Sequence, residues 1–181
     1  MSDHQPSRAE VLATLTAPGQ PFELVASTVY GRKCQFFKRA PQTLRNLFAD
    51  NISDLDFLVY EDERLTFAEA YLKSAQIAQL LVRQYAITKG DRVAISMRNY
   101  PEWVLSFMAI TSIGGIAVAM NSLWRPDEMA YGLIDSGAKV LIADDERLSR
   151  FAQIENTPEN CVDVQTIAIR NRAIPSSPDL S

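Results

Sequence analysis

Apolar and polar positions alternate in blocks between Gly90 and Asp144, and the blocks repeat in one order. Three apolar, strand-like runs alternate with two segments of helical pattern. In chain order these segments are residues 91–97, 101–113, 116–120, 126–136 and 140–143. A strand–helix–strand–helix–strand order with such short connections predicts a parallel sheet with right-handed crossovers and helices on its faces. The predicted fold class is therefore α/β, a parallel-sheet layer with flanking helices.

Prolines and glycines mark the ends of the two helices. Pro101 and Pro126 occupy first helical positions, where the fixed φ of proline suits a helix start and its missing N–H is not needed. The predicted helix-ending glycines are Gly114 and Gly115 for the first helix and Gly137 for the second. Helices that pack on buried strands therefore explain the pattern of this stretch of the chain.

The chain before Gly90 adds an N-terminal β-hairpin. Residues 22–30 and 33–37 are predicted to be two strands joined at Gly31 and Arg32, where glycine can supply the positive φ of a tight turn. Two strands alone are marginally stable. The hairpin therefore needs a surface to pack on, either the rest of the domain or a second copy of the chain, which would give a homodimer.

A short helix, a loop and a strand follow the hairpin. The order is a helix at 43–48 with Leu44, Leu47 and Phe48 on one face, an acidic loop at 50–56, a strand at 57–60 and a polar turn at 61–64. The acidic loop lacks the sequence pattern of a calcium-binding loop, in which oxygen ligands are followed by a glycine and a final glutamate. We therefore interpret it as a solvated loop and not as a metal site.

Thr66 and Glu69 form a Thr-x-x-Glu capping box, which predicts a helix start at this position. The helix is predicted over residues 67–85, since apolar and small side chains recur there at three-four spacing. Those positions are Ala70, Ser74, Ile77, Ala78, Leu81 and Tyr85. A helix packed on the sheet explains the pattern better than a partner-binding helix.

Asp144 ends the third strand, and an aspartate at the carboxyl end of a parallel strand is where α/β folds place chemistry. A phosphoacceptor or ribose-binding role is one interpretation. An ordinary N-cap is the favoured one, because an acidic helical first turn follows directly. That helix begins at Asp145 and is expected to bury Leu148, Phe151 and Ala152. A loop at 156–161 and a fourth strand at 164–169 complete the pattern.

The predicted organisation has three parts. Residues 1–20 are a mobile leader with about one helical turn near 9–15, residues 21–169 are the α/β domain, and residues 170–181 are a linker-like tail. The 181 residues, 47% of them apolar, suffice for one domain with a core.

Composition excludes several classes of function. A net charge of −4 and a pI near 5.1 argue against a general nucleic-acid surface, which needs a basic face. The basic pairs Arg32-Lys33 and Lys38-Arg39 are expected on the solvated side of the hairpin. Cys34 and Cys161 are isolated, which favours free thiols in a cytoplasmic protein and neither zinc nor disulfides. With His4 as the only histidine, a Ser-His-Asp triad is excluded.

No signal peptide or transmembrane span is predicted. The amino terminus lacks a basic start followed by an apolar core. Between Glu102 and Arg125 no residue is charged, a gap long enough to cross a bilayer. Gly114 and Gly115 divide that gap into a helix and a strand, so a buried parallel strand explains it without lipid.

Phosphate-binding and nucleophile motifs are missing from the sequence. No strand leads into a Gly-x-Gly-x-x-Gly or Gly-x-x-x-x-Gly-Lys-Ser/Thr loop, and there is no Gly-x-Ser-x-Gly elbow. The residues alone predict an α/β layer without an evident active site.

Five segments in register nevertheless resemble the amino-terminal part of AMP-forming acyl-CoA synthetases, in the adenylate-forming superfamily. They are Leu65 to Ala70, Lys89 to Ile95, Asn99 to Trp103, Gly114 to Asn121, and Asp127 to Ile142. The first and fourth segments resemble core motifs that are mainly architectural. The landmark residues of the resemblance are Thr66, Glu69, Gly90, Asp91, Pro101, Gly114, Gly115, Asn121 and Gly137.

The resemblance implies that this domain is an incomplete part of the large N-terminal domain of such enzymes. It also implies a reaction, but one that lies outside these residues. Such enzymes use ATP and magnesium to convert a carboxylic acid to an acyl-adenylate, from which coenzyme A displaces AMP. Their phosphate loop, magnesium-binding motif and catalytic lysine come after the matched region, so no catalytic, cofactor-binding or metal-binding residue is assigned here. A fatty acid is the expected substrate, because the hairpin resembles the leader of fatty-acyl members. The sequence around Asn121 departs from the family pattern at Met120, Trp124 and Arg125. The resemblance therefore does not identify which carboxylic acid is the substrate.

Two functional hypotheses follow. The first is the N-terminal part of an acyl-CoA ligase, inactive alone because nothing stabilises the charge that develops at the α-phosphate. The second is a non-catalytic dimerisation or regulatory module of the same fold. Under both hypotheses we expect exposed apolar sheet surface and self-association.

Overall fold

A computed structural model of the chain describes residues 5–29, 31–155 and 161–170. His4, Tyr30, most of the predicted loop at 156–161 and the predicted tail after Arg170 lie outside the described residues. The chain divides into two compact units, Met1–Gln42 and Thr43–Ser181. The boundaries predicted at residues 20 and 169 stay predictions.

The first unit contains one helix and one antiparallel hairpin. Its elements are α1 (Arg8–Thr16), β1 (Leu24–Val29) and β2 (Arg32–Phe37). The predicted single turn in the leader is too short, because Ser7 and Glu10 form a full capping box that starts a nine-residue helix. Glu23 is the only buried side chain among the described residues of this unit. The hairpin therefore has no apolar core of its own.

The second unit contains the parallel sheet and its helices. Its elements are α2 (Leu44–Asp50), β3 (Asp56–Tyr60), β4 (Glu63–Thr66), α3 (Phe67–Gln84), β5 (Arg92–Ser96), α4 (Pro101–Ser112), β6 (Ile116–Ala119), α5 (Pro126–Ser136), β7 (Val140–Asp144), α6 (Asp145–Phe151) and β8 (Gln165–Ile169). The four strands β6-β5-β7-β8 lie in this order and are all parallel. The predicted α/β class and the parallel sheet are confirmed.

Two apolar clusters cover the two faces of this sheet. Val93, Ile95, Val140 and Ile142 belong to one cluster, and the residues between them in β5 and β7 belong to the other. This alternation is the period-two geometry of a strand, which sends successive side chains to opposite faces. Side chains of α3 and α4 fill the first cluster, and side chains of α5 fill the second. The central strands β5 and β7 are therefore buried on both faces, as their near-continuous apolar sequence predicts. The edge strands β6 and β8 are only partly covered, so the prediction of a buried strand at 116–120 holds less well.

The predicted turn at residues 61–64 is wrong. Glu63–Thr66 form β4, which pairs antiparallel with β3, and the turn is confined to Glu61 and Asp62. Glu61 has a φ of +48° there. A polar segment can form a strand at the surface because the hydrogen bonds of a hairpin come from its backbone, so polarity alone does not identify a turn.

Two predicted apolar faces are less buried than expected. In α2, Leu44 and Leu47 are exposed and only Phe48 is partly buried. In α6, Ala152 is exposed, while Leu148 and Phe151 pack against the second cluster. In the part of the chain that the structure describes, no helix is both long and apolar enough to cross a bilayer.

Candidate functional site

The carboxyl ends of β5 and β7 form the switch point of the sheet. From β5 the chain continues through α4 to β6 on one side, whereas from β7 it continues through α6 to β8 on the other. In open α/β sheets a crevice forms where adjacent strands diverge in this way, and ligands bind there. A cavity of about 570 Å³ lies at this edge, lined by Tyr60, Glu61, Tyr100, Asp144, Asp145, Glu146, Arg147 and Arg170.

Asp144 joins the loops at this switch point. One carboxylate oxygen accepts the backbone N–H of Arg147 at 3.0 Å, and the other accepts the backbone N–H of Arg98 at 3.0 Å. The first bond makes Asp144 the N-cap of α6, so the favoured interpretation of this residue is confirmed. The second bond ties the segment after β5 to the end of β7. Both oxygens of the buried carboxylate are therefore engaged.

Arg147 is the buried counter-ion of Asp144, with a side chain that is 1% exposed. Its Nη1 donates to both Asp144 oxygens at 3.3 and 3.2 Å and to Glu146 at 2.9 Å. Its Nε donates to the carbonyl of Ser122 at 2.8 Å. Arg150 donates to the carbonyls of Ser122 and Trp124. The two arginines therefore anchor the β6–α5 loop onto α6.

Sequence reasoning missed the role of Arg147, because the helical pattern assigned only apolar residues to the inner face of α6. The available signal was its spacing. An arginine three residues after an aspartate lies on the same side of the helix start and can pair with that aspartate.

Arg170 closes another side of the crevice. Its guanidinium lies over the rings of Tyr60 and Tyr100, at 5.1 and 4.8 Å from their centroids. Nε donates to both oxygens of Glu102, at 3.0 and 3.1 Å, and Nη2 to both oxygens of Glu63, at 2.8 Å each. Partial burial works to lower the pKa of Arg170, but the bonds to Glu102 and Glu63 outweigh it and the pKa is raised.

The charges of the lining do not suit a triphosphate or a metal ion. Four carboxylates face two arginines, and both arginines already hold carboxylates. Among the described residues, no group of three or more His, Cys, Asp or Glu side chains could hold a metal. Burial, followed by the charge of Glu61, raises the pKa of Tyr60, so its hydroxyl is neutral near pH 7. Both guanidinium groups of the lining are therefore already paired with carboxylates, although Nη2 of Arg147 is buried without a hydrogen-bond partner.

Thr66 and Glu69 form the predicted capping box at the start of α3. Glu69 accepts the Thr66 N–H at 2.8 Å, and the Thr66 hydroxyl oxygen accepts the Glu69 N–H at 3.1 Å. The bond from the Thr66 backbone is the main cause that lowers the pKa of Glu69. Pro101 is the first residue of α4, and Gly137 ends α5 in the left-handed conformation at φ +61°. These landmark residues mark where helices begin or end.

Gly90, Asp91, Gly114 and Gly115 lie at the amino ends of the strands, opposite the crevice. The Gly90 N–H donates to the Gly114 carbonyl at 2.9 Å. A Cβ on Gly115 would lie 3.0 Å from Ile110, a tight contact, so the close approach of α4 favours glycine there.

Asp91 also lies at this amino-terminal edge. It pairs with Lys139 at 2.7 Å and accepts the N–H and hydroxyl of Thr88, each at 2.8 Å. The Lys139 ammonium, followed by the Thr88 N–H, lowers the pKa of Asp91 to about 2. This ion pair joins the amino ends of β5 and β7.

Asn121 is the landmark that follows β6 at the crevice edge of the sheet. Its side-chain oxygen accepts the Leu123 N–H at 2.9 Å and so shapes the β6–α5 loop. The next helix starts without a capping side chain from Arg125, but the Glu128 carboxylate accepts the Arg125 N–H at 2.8 Å. The role of these landmarks in a site stays a prediction.

Residues 47–180 match the model of a family described as AMP-binding enzyme. The match covers most of the chain, so the chain belongs to this family. The resemblance to adenylate-forming enzymes is confirmed.

Several curated relatives are CoA ligases, and they act on different acids. The 2-succinylbenzoate–CoA ligase of Bacillus velezensis is 38% identical over 88 residues, which cover 49% of this chain and 18% of the relative. The long-chain-fatty-acid–CoA ligase of Bacillus subtilis is 30% identical over 107 residues, covering 58% and 19%. The chain thus spans about a fifth of the length of these relatives.

Among solved structures, the N-terminal domain of FACL13 from Mycobacterium tuberculosis superposes with a TM-score of 0.65 at 25% identity. The superposition covers 71% of this chain and 34% of that domain structure. The observed α/β layer therefore corresponds to part of the N-terminal domain of adenylate-forming enzymes.

Proposed function

We propose that this chain supplies part of the N-terminal domain of an acid–CoA ligase, which activates a carboxylic acid with ATP and transfers the acyl group to coenzyme A. The match of residues 47–180 to the AMP-binding family carries this proposal. The identity with CoA ligases of Bacillus species supports it.

Within this proposal the described residues act as a frame. Asp144 and Arg147 fix the switch point, and the ion pair of Asp91 with Lys139 fixes the opposite edge. Both arginines of the crevice hold carboxylates and its lining has no histidine, so we assign no step of the reaction to it. We therefore infer that residues 1–181 alone do not activate an acid, and that magnesium, ATP and coenzyme A bind elsewhere in a complete ligase.

A fatty acid is the acid that we propose for the complete enzyme. The long-chain-fatty-acid–CoA ligase of Bacillus subtilis supports this choice, whereas the 2-succinylbenzoate–CoA ligase supports an aromatic acid. The departures at Met120 and Trp124 do not decide between them, because both side chains pack into the second apolar cluster. We also propose a cytoplasmic location, since Cys34 and Cys161 are free thiols.

The second hypothesis is a dimerisation module. The described part of the first unit exposes Phe22, Phe36 and Phe37 and buries no apolar side chain. A hairpin of this kind gains stability when a partner covers it. A homodimer formed through this hairpin would provide that cover.

Acid-dependent exchange between ATP and pyrophosphate tests the catalytic proposal. We expect no exchange by residues 1–181 with dodecanoate, 2-succinylbenzoate or 4-coumarate. A chimera in which residues 47–180 replace the matching segment of the Bacillus subtilis ligase is expected to exchange. The unmodified ligase is the positive control, and cooperative unfolding of the chimera shows that it is folded.

Three outcomes separate the hypotheses. Exchange by residues 1–181 alone would show that catalysis does not need further sequence. A folded chimera without exchange would contradict the framing role and favour the module. Exchange by the chimera supports the ligase, and its preference among the three acids shows whether this segment contributes to acid selection.

A further inference from the structure

Arg170 connects three elements that are far apart in the sequence. It directly follows β8, while its four partners belong to the β3–β4 hairpin and to the start of α4. Those partners are Tyr60 and Glu63 on the hairpin and Tyr100 and Glu102 at the helix. The two tyrosine rings also meet edge to face at 5.5 Å. All five side chains therefore form one cluster at the mouth of the crevice, here called the Arg170 cluster.

The geometry of the Arg170 cluster is specific for a guanidinium. Nε donates to both oxygens of Glu102 and Nη2 to both oxygens of Glu63, so two nitrogens of one planar group each hold a different carboxylate. The same plane can lie over aromatic rings, which attract the cation through their electron-rich faces. A lysine could supply the charge but neither the fork nor the plane.

The backbone at Arg170 is also unusual. Its φ of +51° lies in the left-handed region, which side chains other than glycine and asparagine rarely adopt. Such a conformation persists when surrounding contacts determine it. The Arg170 cluster provides those contacts, since the Arg170 side chain is only 30% exposed and the Glu102 side chain 26%.

We propose that Arg170 is a positioning residue, whose guanidinium fixes the β3–β4 hairpin and the start of α4 as one wall of the crevice. An isolated surface ion pair would have no such role, because exposed pairs contribute little. The Arg170 cluster differs from an isolated pair in joining two carboxylates and two rings through one cation. The inference goes beyond the proposed ligase reaction and does not depend on it.

Chemical rescue of an Arg170→Ala variant tests the proposal on the 181-residue chain. The substitution removes the guanidinium, and we expect the melting temperature to fall by roughly 2–4 °C. Methylguanidinium chloride at millimolar concentration should raise the melting temperature of this variant by about 2 °C or more and leave the wild type unchanged. Urea at the same concentration, with similar shape but no charge, should not rescue it, nor should sodium chloride.

Amide hydrogen exchange provides the readout for positioning. In Arg170→Ala, the backbone amides of the β3–β4 hairpin and of the first turn of α4 should exchange about tenfold faster than in the wild type. The amides of β5 and β7 should stay protected. A merely global loss of stability would accelerate the slowest amides of β5 and β7 as well. Methylguanidinium should slow the exchange of the hairpin again.

A milder variant keeps the test valid if Arg170→Ala does not fold. In Arg170→Lys the charge remains, so the fold is expected to persist while exchange of the hairpin still increases. Equal stabilisation of the wild type and the variant by methylguanidinium would overturn the proposal. Uniform exchange changes throughout the sheet, or hairpin protection in Arg170→Lys equal to that in the wild type, would overturn it too.

Discussion

Asp144 shows how one residue at a strand end can serve two structural functions. As an N-cap it accepts a backbone N–H of α6, a bond that asparagine could also make. As an anion it balances Arg147, whose guanidinium is buried. The two functions have different energetic weights, because a buried charge without its partner costs far more than a lost cap.

An Asp144→Asn variant separates these two functions. Asparagine keeps the capping oxygen, but its NH2 replaces the oxygen that accepts the Arg98 N–H, and Arg147 keeps only Glu146 as counter-ion. We therefore expect the free energy of unfolding to fall by about 2–4 kcal/mol. Urea denaturation measures the change. Asp145→Asn is the matched control, because it removes only an acidic group from the first turn and should cost less than about 1 kcal/mol.

Removing both charges provides the complementary measurement. The double variant Asp144→Asn with Arg147→Met should regain part of the stability, since an apolar side chain can replace a buried ion pair. If Asp144→Asn and Asp145→Asn cost the same, the buried pair would contribute little beyond the cap.

At the scale of elements, most helices and strands could be predicted from the sequence, but the surface strand β4 and the crevice could not. The strands β5, β6 and β7 and the helices α3, α4 and α5 follow from periodicity and capping residues such as Thr66 and Gly137. The strand β4 was missed because its charged residues lie on the surface, where hydrophobic pattern carries no information. The crevice was missed because Tyr60, Tyr100 and Arg170 are brought together only by the fold.

Gly132 shows why a residue inside a helix can depend on a neighbouring loop. Gly132 lies in the middle of α5, where alanine would ordinarily stabilise the helix by up to about 1 kcal/mol. A Cβ at this position would lie only 2.6 Å from the Trp124 ring. The β6–α5 loop, anchored by Arg147 and Arg150, holds that ring in place.

We therefore expect Gly132→Ala to destabilise the protein by about 1–3 kcal/mol through overpacking. In a Trp124→Leu background the same substitution should become neutral or stabilising, because the clash is gone and only the helix propensity remains. Thermal unfolding of the four variants in a double-mutant cycle measures the coupling. Additive effects would show that Trp124 moves aside without cost.

At the scale of the whole molecule, the chain belongs to the AMP-binding enzymes but spans about a fifth of its curated relatives. In the described sheet, β6 and β8 are the outer strands, each with one side that no described strand covers. β6 consists of Ile116–Ala119 and has no charged residue. Outer strands without charges, prolines or bulges readily pair with other strands.

We expect the isolated chain to self-associate through β6, and size-exclusion chromatography with light scattering measures the mass. An Ile116→Lys substitution should shift the population towards monomer, because Ile116 is 47% exposed on this strand and a lysine opposes edge-to-edge pairing. Ile134→Lys is the matched control, since Ile134 is similarly exposed at 44% but lies on helix α5. A sharp monomer peak of the wild type at high concentration would contradict self-association. Equal effects of the two lysines would place the contact elsewhere, and persistent dimers in both variants would favour the hairpin of the first unit.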